Sequence, residues 1–152
     1  MRNGLIIFIL FISWGNLFSL EIDAKIIEII DYISNDNNQY TAIFLDENND
    51  NKFDKVLHIP YTDDQLTFVY RLRQFLKKND LIKYEYGDHV KPQWENWSKK
   101  LQSKFGIEHN LIIDLSQIIE INGESILFLL NYNRYSDKWK ESIFPYAYKK
   151  IK

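Results

Sequence analysis

The sequence predicts an α+β protein, rich in antiparallel strands, with two helices packed on a sheet or small barrel. Three observations carry this. Runs of β-branched and aromatic residues alternate with Asn/Asp turn clusters. A capping box at Thr62–Gln65 opens a segment with an apolar helical stripe. Asn122-Gly123, whose two residues accept the positive φ of a tight turn, joins two apolar runs as a hairpin.

In chain order, KIIEIIDYI (25–33) has helical apolar spacing but an Ile density that suits a strand. The neighbouring hairpin favours the strand. YTAIFLD and KVLHIP read as strands joined by DENNDNKFD (46–54), the second one stopped by Pro60. The helix from Thr62 places Asp63 and Asp64 at its positive end and Lys77 and Lys78 at its negative end. Phe68, Val69, Leu72, Phe75 and Leu76 form its stripe. DLIKYEY (80–86) alternates as a strand. KPQWENWSKKLQSKFG (91–106) reads as a second helix, with Pro92 in the first turn and Gly106 at the exit. LIIDLSQIIEI reads as one long strand and SILFLL as its return. A short helix from Ser136 stops near Pro145.

Three strands, a helix and two further strands resemble the order of an OB-fold barrel. FLKKNDLIKYEYGD resembles the helix exit and fourth strand of such a barrel, and LIIDLSQIIEING its fifth. The alternative is a plain antiparallel sheet with the helices on one face.

At 152 residues the chain is of single-domain size. Arg2 followed by GLIIFILFISW resembles a secretory signal peptide, since the run is short of the ~20 apolar residues of a spanning helix. Ser13 and Gly15, or Ser19, offer cleavage positions. The expected organisation is a signal peptide or N-terminal anchor over 1–19 and one globular domain over 20–152, secreted or periplasmic. There is no cysteine, so the core must hold the fold without disulfides. Ten Phe, ten Tyr and four Trp supply much of that core. The net charge of −2 argues against a nucleic-acid partner, which calls for a basic surface.

DENNDNKFD resembles the calcium loop of EF-hands. That resemblance assigns Asp46, Asn48, Asp50, the Lys52 carbonyl and Asp54 as ligands and Phe53 as the apolar eighth residue. Asn51 stands where the family has Gly, and Leu57 where it has a bidentate Glu. The other reading is a polar turn. Calcium is therefore the one cofactor the sequence raises. His58, His89 and His109 are scattered without zinc spacing, and no serine-nucleophile or phosphate-loop motif occurs. The expected function is a non-catalytic binding domain for a protein or envelope component. It touches membrane only if the N-terminal segment is retained. The alternative is a hydrolase built around Asp88 and His89. Trp94 and Trp97, three apart on a helix, and Tyr135 and Trp139 in the basic-aromatic tail are the candidate partner contacts.

Overall fold

The computed structural model describes residues 20–61, 66–86, 94–130 and 135–152, with the backbone alone at 66–67 and 94–97. The candidate signal segment, the Thr62–Gln65 box, Asp88, His89 and Pro92 lie outside the described residues. Seven strands follow in chain order, β1 (Leu20–Ile33), β2 (Gln39–Asp46), β3 (Lys55–Pro60), β4 (Leu81–Tyr86), β5 (Ile112–Ile113), β6 (Ile118–Ile121) and β7 (Glu124–Ser125). The helices are α1 (Leu66–Phe75), α2 (Trp94–Phe105), α3 (Ile126–Leu129), α4 (Asp137–Ile143) and α5 (Pro145–Ile151). One sheet orders the strands β5-β3-β2-β1-β4-β6-β7, antiparallel except for β3 with β5. The chain is thus α+β.

β1 organises this sheet. Its first half pairs with β4, Leu20 to Tyr86 through Lys25 to Leu81, and its second half with β2, Lys25 to Asp46 through Ile33 to Gln39. A register shift between Ile26 and Glu28 marks the change of partner. One extra residue bends a strand and reverses which side chains face which way. Ala24 and Ile26 accordingly join the main core before the shift, whereas Ile30 and Tyr32 join the opposite face after it.

The sheet is also strongly curled. In a flat sheet β5 and β6 would stand five strand spacings apart, about 24 Å. Yet residues 114–117 alone join them, and five peptide steps reach at most about 18 Å even when fully extended. The connection is not extended, because Leu115–Gln117 is a 3₁₀ turn. Side chains of β3 and β4, which β2 and β1 separate along the sheet, meet as the curl requires. Lys55 of β3 lies over the Tyr86 ring of β4, 5.2 Å from its centroid. The main core fills the concave side, with Ile43, Leu45, Leu57, Ile59, Ile82 and Tyr84 from the strands. Phe68, Val69, Leu72 and Leu76 of the first helical stripe meet them there, while Phe75 stays exposed. On the convex side α2 covers β2 and β3, where Leu101, Phe105 and Ile107 meet Tyr32, Tyr40, Phe44 and Val56. β2 is therefore buried on both faces. The helices lie on both sides of the sheet, unlike the one-sided alternative.

Three expectations are corrected. Among the described residues the barrel closure of an OB-like fold is not present as a hydrogen-bonded ring, because β5 and β7 each have one strand neighbour. The run LIIDLSQIIEI is broken. Asp114 caps the 3₁₀ turn, accepting from the Ser116 amide at 2.8 Å, while the Gln117 side chain accepts from the Asp114 amide at 3.0 Å. SILFLL is a return strand for two residues only, then turns helical behind Ser125, whose hydroxyl caps the Leu127 amide. Pro145 does end the helix from Ser136, and it also starts the next, where a missing amide proton costs nothing. The Asn122-Gly123 turn is as expected, with φ of 51° and 81°. Asn122 Oδ1 also accepts from the Leu81 amide at 2.8 Å, tying the hairpin to β4.

Replacing Asp114 with Ala leaves the 3₁₀ turn uncapped inside the protein. Urea unfolding should show a loss of about 1–2 kcal/mol. An unchanged midpoint would mean that the turn does not hold the two ends of the sheet together.

Candidate functional site

Two depressions adjoin each other on the convex side, between the β1–β2 turn and α2. The turn spans Ser34–Asn38 and is closed by Ser34 N–H to the Asn38 carbonyl at 3.0 Å and Asn37 N–H to the Ser34 carbonyl at 2.9 Å. Asn37 takes φ of 61° there, which Asn tolerates better than most residues. α2 contributes Lys99, Lys100, Ser103 and Lys104, which fall on one helical face by their i, i+4 spacing. Leu101 and Phe105 point the helix into the sheet. Together with Tyr32, Ile33, Ser34, Asn35 and Asp36 these residues line a cavity of about 610 Å³. A second depression of about 580 Å³ shares Tyr32, Ile33 and Lys104 and adds Asp31 and Gln39.

The cavity backs onto three stacked rings. Tyr32 and Tyr40 are paired across β1 and β2, with centroids 5.5 Å apart, and Tyr40 stacks on His58 of β3 at 5.0 Å. The Phe105 edge closes on Tyr32 at 5.2 Å. Tyr32 Oη and His58 Nε2 are 2.6 Å apart. Burial, with the Lys100 charge nearby, lowers the His58 pKa to about 3, so the imidazole is neutral at physiological pH. Burial likewise raises the Tyr32 pKa. Over this stack lies Lys100. Its ammonium donates to the Tyr40 hydroxyl and, at 2.5 Å, to Asp36, and it sits 4.6 Å above the Tyr40 ring centroid. Burial works against the Lys100 charge, but these two partners outweigh it and raise its pKa. Lys100 and the neighbouring amide of Asn38 hold the Asp36 carboxyl at about 2. In the adjoining depression Asp31 is engaged by Arg73 through two bonds of 3.1 Å.

DENNDNKFD joins β2 to β3 as expected, and its carboxylates serve their own backbone. Asp46, 2% exposed, accepts amide hydrogens from Asn48, Asp50 and Asn51. Burial disfavours its charge, yet these donors win and its pKa is lowered. Asp50 accepts from the Lys52 amide and Asp54 from the Glu47 amide, both at 2.8 Å. Asn49 and Asn51 take the positive φ. A cation is already in place, because Lys25 Nζ donates to Asn49 Oδ1 at 2.8 Å. Among the described residues no three His, Cys, Asp or Glu side chains form a metal-ligand set. These hydrogen bonds hold the path of the loop from within.

The candidate partner contacts separate. Trp94 and Trp97 begin α2, but their side chains are not described. Tyr135 and Trp139 stack on each other at 4.0 Å, and the Trp139 edge meets Phe68 and Phe144. They are half-buried against the main core, so the tail is docked on the domain. Of the histidines, His58 is buried in β3 and His109 lies in a 3₁₀ turn before β5. Among the described residues no helix is long and apolar enough to cross a membrane. Sequence reasoning missed Tyr32, Asp36, Tyr40 and Lys100 altogether. Strand alternation was the available signal, since it places Tyr40, Ala42 and Phe44 on one face. No family model, curated protein or solved structure matches this chain.

Thermal melts of the purified protein in millimolar calcium and in chelator should coincide. A clear rise in calcium would make the loop an ion site. A separate outcome concerns acid. The unfolded chain protonates His58 below about pH 6.5 while the folded chain resists until about 3, so stability is lost as pH falls through that window. From neutrality to about pH 4.5 this costs about 2–3 kcal/mol. The urea midpoint of the wild type should therefore fall more steeply than that of His58→Gln, and parallel pH profiles would refute the assignment.

Proposed function

We propose that this chain is an exported, non-catalytic binding domain on an OB-like, partly open barrel. Its partner, a protein or envelope component, inserts a group into the cavity between the β1–β2 turn and α2. The observation that carries the reading is the cavity itself. It is of small-ligand size and set on a rigid ring stack, and its lining mixes hydroxyl, amide and charged groups. The strand order supports the scaffold. A long bent β1 shared by β2 and β4, a helix between β3 and β4, and a final segment parallel to β3 and then antiparallel to β4 follow the OB pattern. In that pattern ligands meet the outer face of the second and third strands and the loops that flank it. The β1–β2 turn and α2 occupy those places here, a likeness of fold and not of activity. The export half of the proposal rests on the apolar segment behind Arg2.

The test has two arms. N-terminal sequencing of protein from the native cell should begin near residue 20, and a retained Met1 in soluble cytoplasmic material would refute export. Amide NMR spectra of the labelled protein, titrated with solubilised envelope fractions, should shift at residues 32–36 and 99–104. Tyr32→Ala or Ser103→Trp should suppress those shifts. Binding that leaves these amides unmoved would place the contact surface elsewhere.

A further inference from the structure

We infer that the group taken up by this cavity is an oxyanion, a phosphate or a carboxylate, which displaces Asp36 from Lys100. The inference rests on the cavity being the binding site and adds the ligand's chemistry. Three lysines line it, Lys99, Lys100 and Lys104, against a single carboxylate, Asp36. The whole chain carries a net charge of −2, so this local excess of positive charge runs against the molecule's balance. An acidic protein that gathers ammonium groups around one concavity presents an attractive field there, focused by the low-dielectric wall of rings behind it.

The lysines differ in how they are held. Lys100 is fixed in place by the Tyr40 hydroxyl and ring, and its raised pKa keeps it charged. Its other bond goes to Asp36, whose side chain is 43% exposed on a short turn. An ion pair so open to water contributes little and exchanges readily for another anion. Within the turn, Asp36 also accepts from the Ser34 hydroxyl and, at 3.4 Å, from the Asn38 amide, so it has partners to retain when it leaves Lys100. An incoming oxyanion would find the Lys100 ammonium with Lys99 and Lys104 beside it and the Ser103 hydroxyl one turn further along the same face of α2. Asp31, the other carboxylate at the edge of these depressions, is neutralised by Arg73 and does not oppose the anion. In this scheme Asp36 acts as an internal stand-in for the ligand, holding Lys100 ordered until the anion arrives.

Amide NMR titration of the labelled full chain at low ionic strength tests this, with four probes: inorganic phosphate, glycerol 3-phosphate, glucuronate and neutral glucose. Saturable shifts at residues 32–36 and 99–104 with phosphate probes, glucuronate or both are expected, with none from glucose. A preference for the phosphate pair points to a phosphorylated partner, and one for glucuronate to an acidic glycan. Lys100→Gln should weaken binding about tenfold or more, the loss expected for a hydrogen bond to a charged group. Lys104→Gln, at an exposed position, should weaken it and leave the fold intact. Asp36→Asn should tighten binding about two- to fivefold, because the competing carboxylate is gone. Weaker binding in Asp36→Asn, or glucose shifts equal to those of glucuronate, would overturn the oxyanion assignment while leaving the cavity as the binding site. No shift at these amides from any probe or from envelope fractions would overturn both readings.

Discussion

The whole architecture depends on the reach of ten residues. Ile112–Ile121 must lie beside β3 at one end and beside β4 at the other, although β2 and β1 stand between those strands. A chain so short leaves the sheet no choice but to curl. Curling separates an inner face, which the main core and α1 fill, from an outer face, which α2 covers in part. The break at Asp114 makes the bridge feasible. A continuous strand would need a partner along its whole length, whereas the 3₁₀ turn meets its own backbone needs through Asp114 and Gln117 and crosses the gap between two ladders. Gln117 adds one more tie, donating to the Glu85 carbonyl at 3.1 Å.

Much of this was legible in the sequence. The hairpin of β2 and β3, the fourth strand, both principal helices and the Asn-Gly turn declare themselves through periodicity and turn chemistry, which are local properties. The misreadings are also physical. IIDLSQII is β-rich on both sides of Asp114, so strand propensity masked a capping pair at Asp114 and Gln117 that has the same spacing as the box recognised at Thr62. SILFLL is apolar throughout, and such a run does not distinguish a strand from a buried helical turn. The β1 bulge leaves no mark in KIIEIIDYI, because a run so rich in isoleucine has an apolar side chain ready for either face.

The candidate site was hidden for another reason. Its ring stack takes Tyr32, Tyr40 and His58 from three strands, and its charges come from a turn and a helix far apart in sequence. Register brings them together, and register is a tertiary fact. The bulge is decisive here, since without the extra residue Tyr32 would point into the main core. The acidic loop shows the converse. DENNDNKFD stands out in the sequence by composition, and its carboxylates organise a tight connection, while Glu47 beside them accepts from the buried Tyr84 hydroxyl.

The sharing of β1 between two partners has a consequence for how the chain acquires its structure. β1 can zip with β2 as soon as the turn at Ser34–Asn38 forms, a local event. Its pairing with β4 waits for residues some sixty positions downstream of its start, and the parallel contact of β3 with β5 waits for a similar loop to close. Contacts of such sequence separation slow folding, because the entropy of loop closure must be met before any of them forms. Until Ile112–Ile121 docks, the outer edges of β3 and β4 stand open to any extended chain nearby. The molecule is therefore most exposed to strand exchange with its neighbours in the interval just before its last short strands arrive.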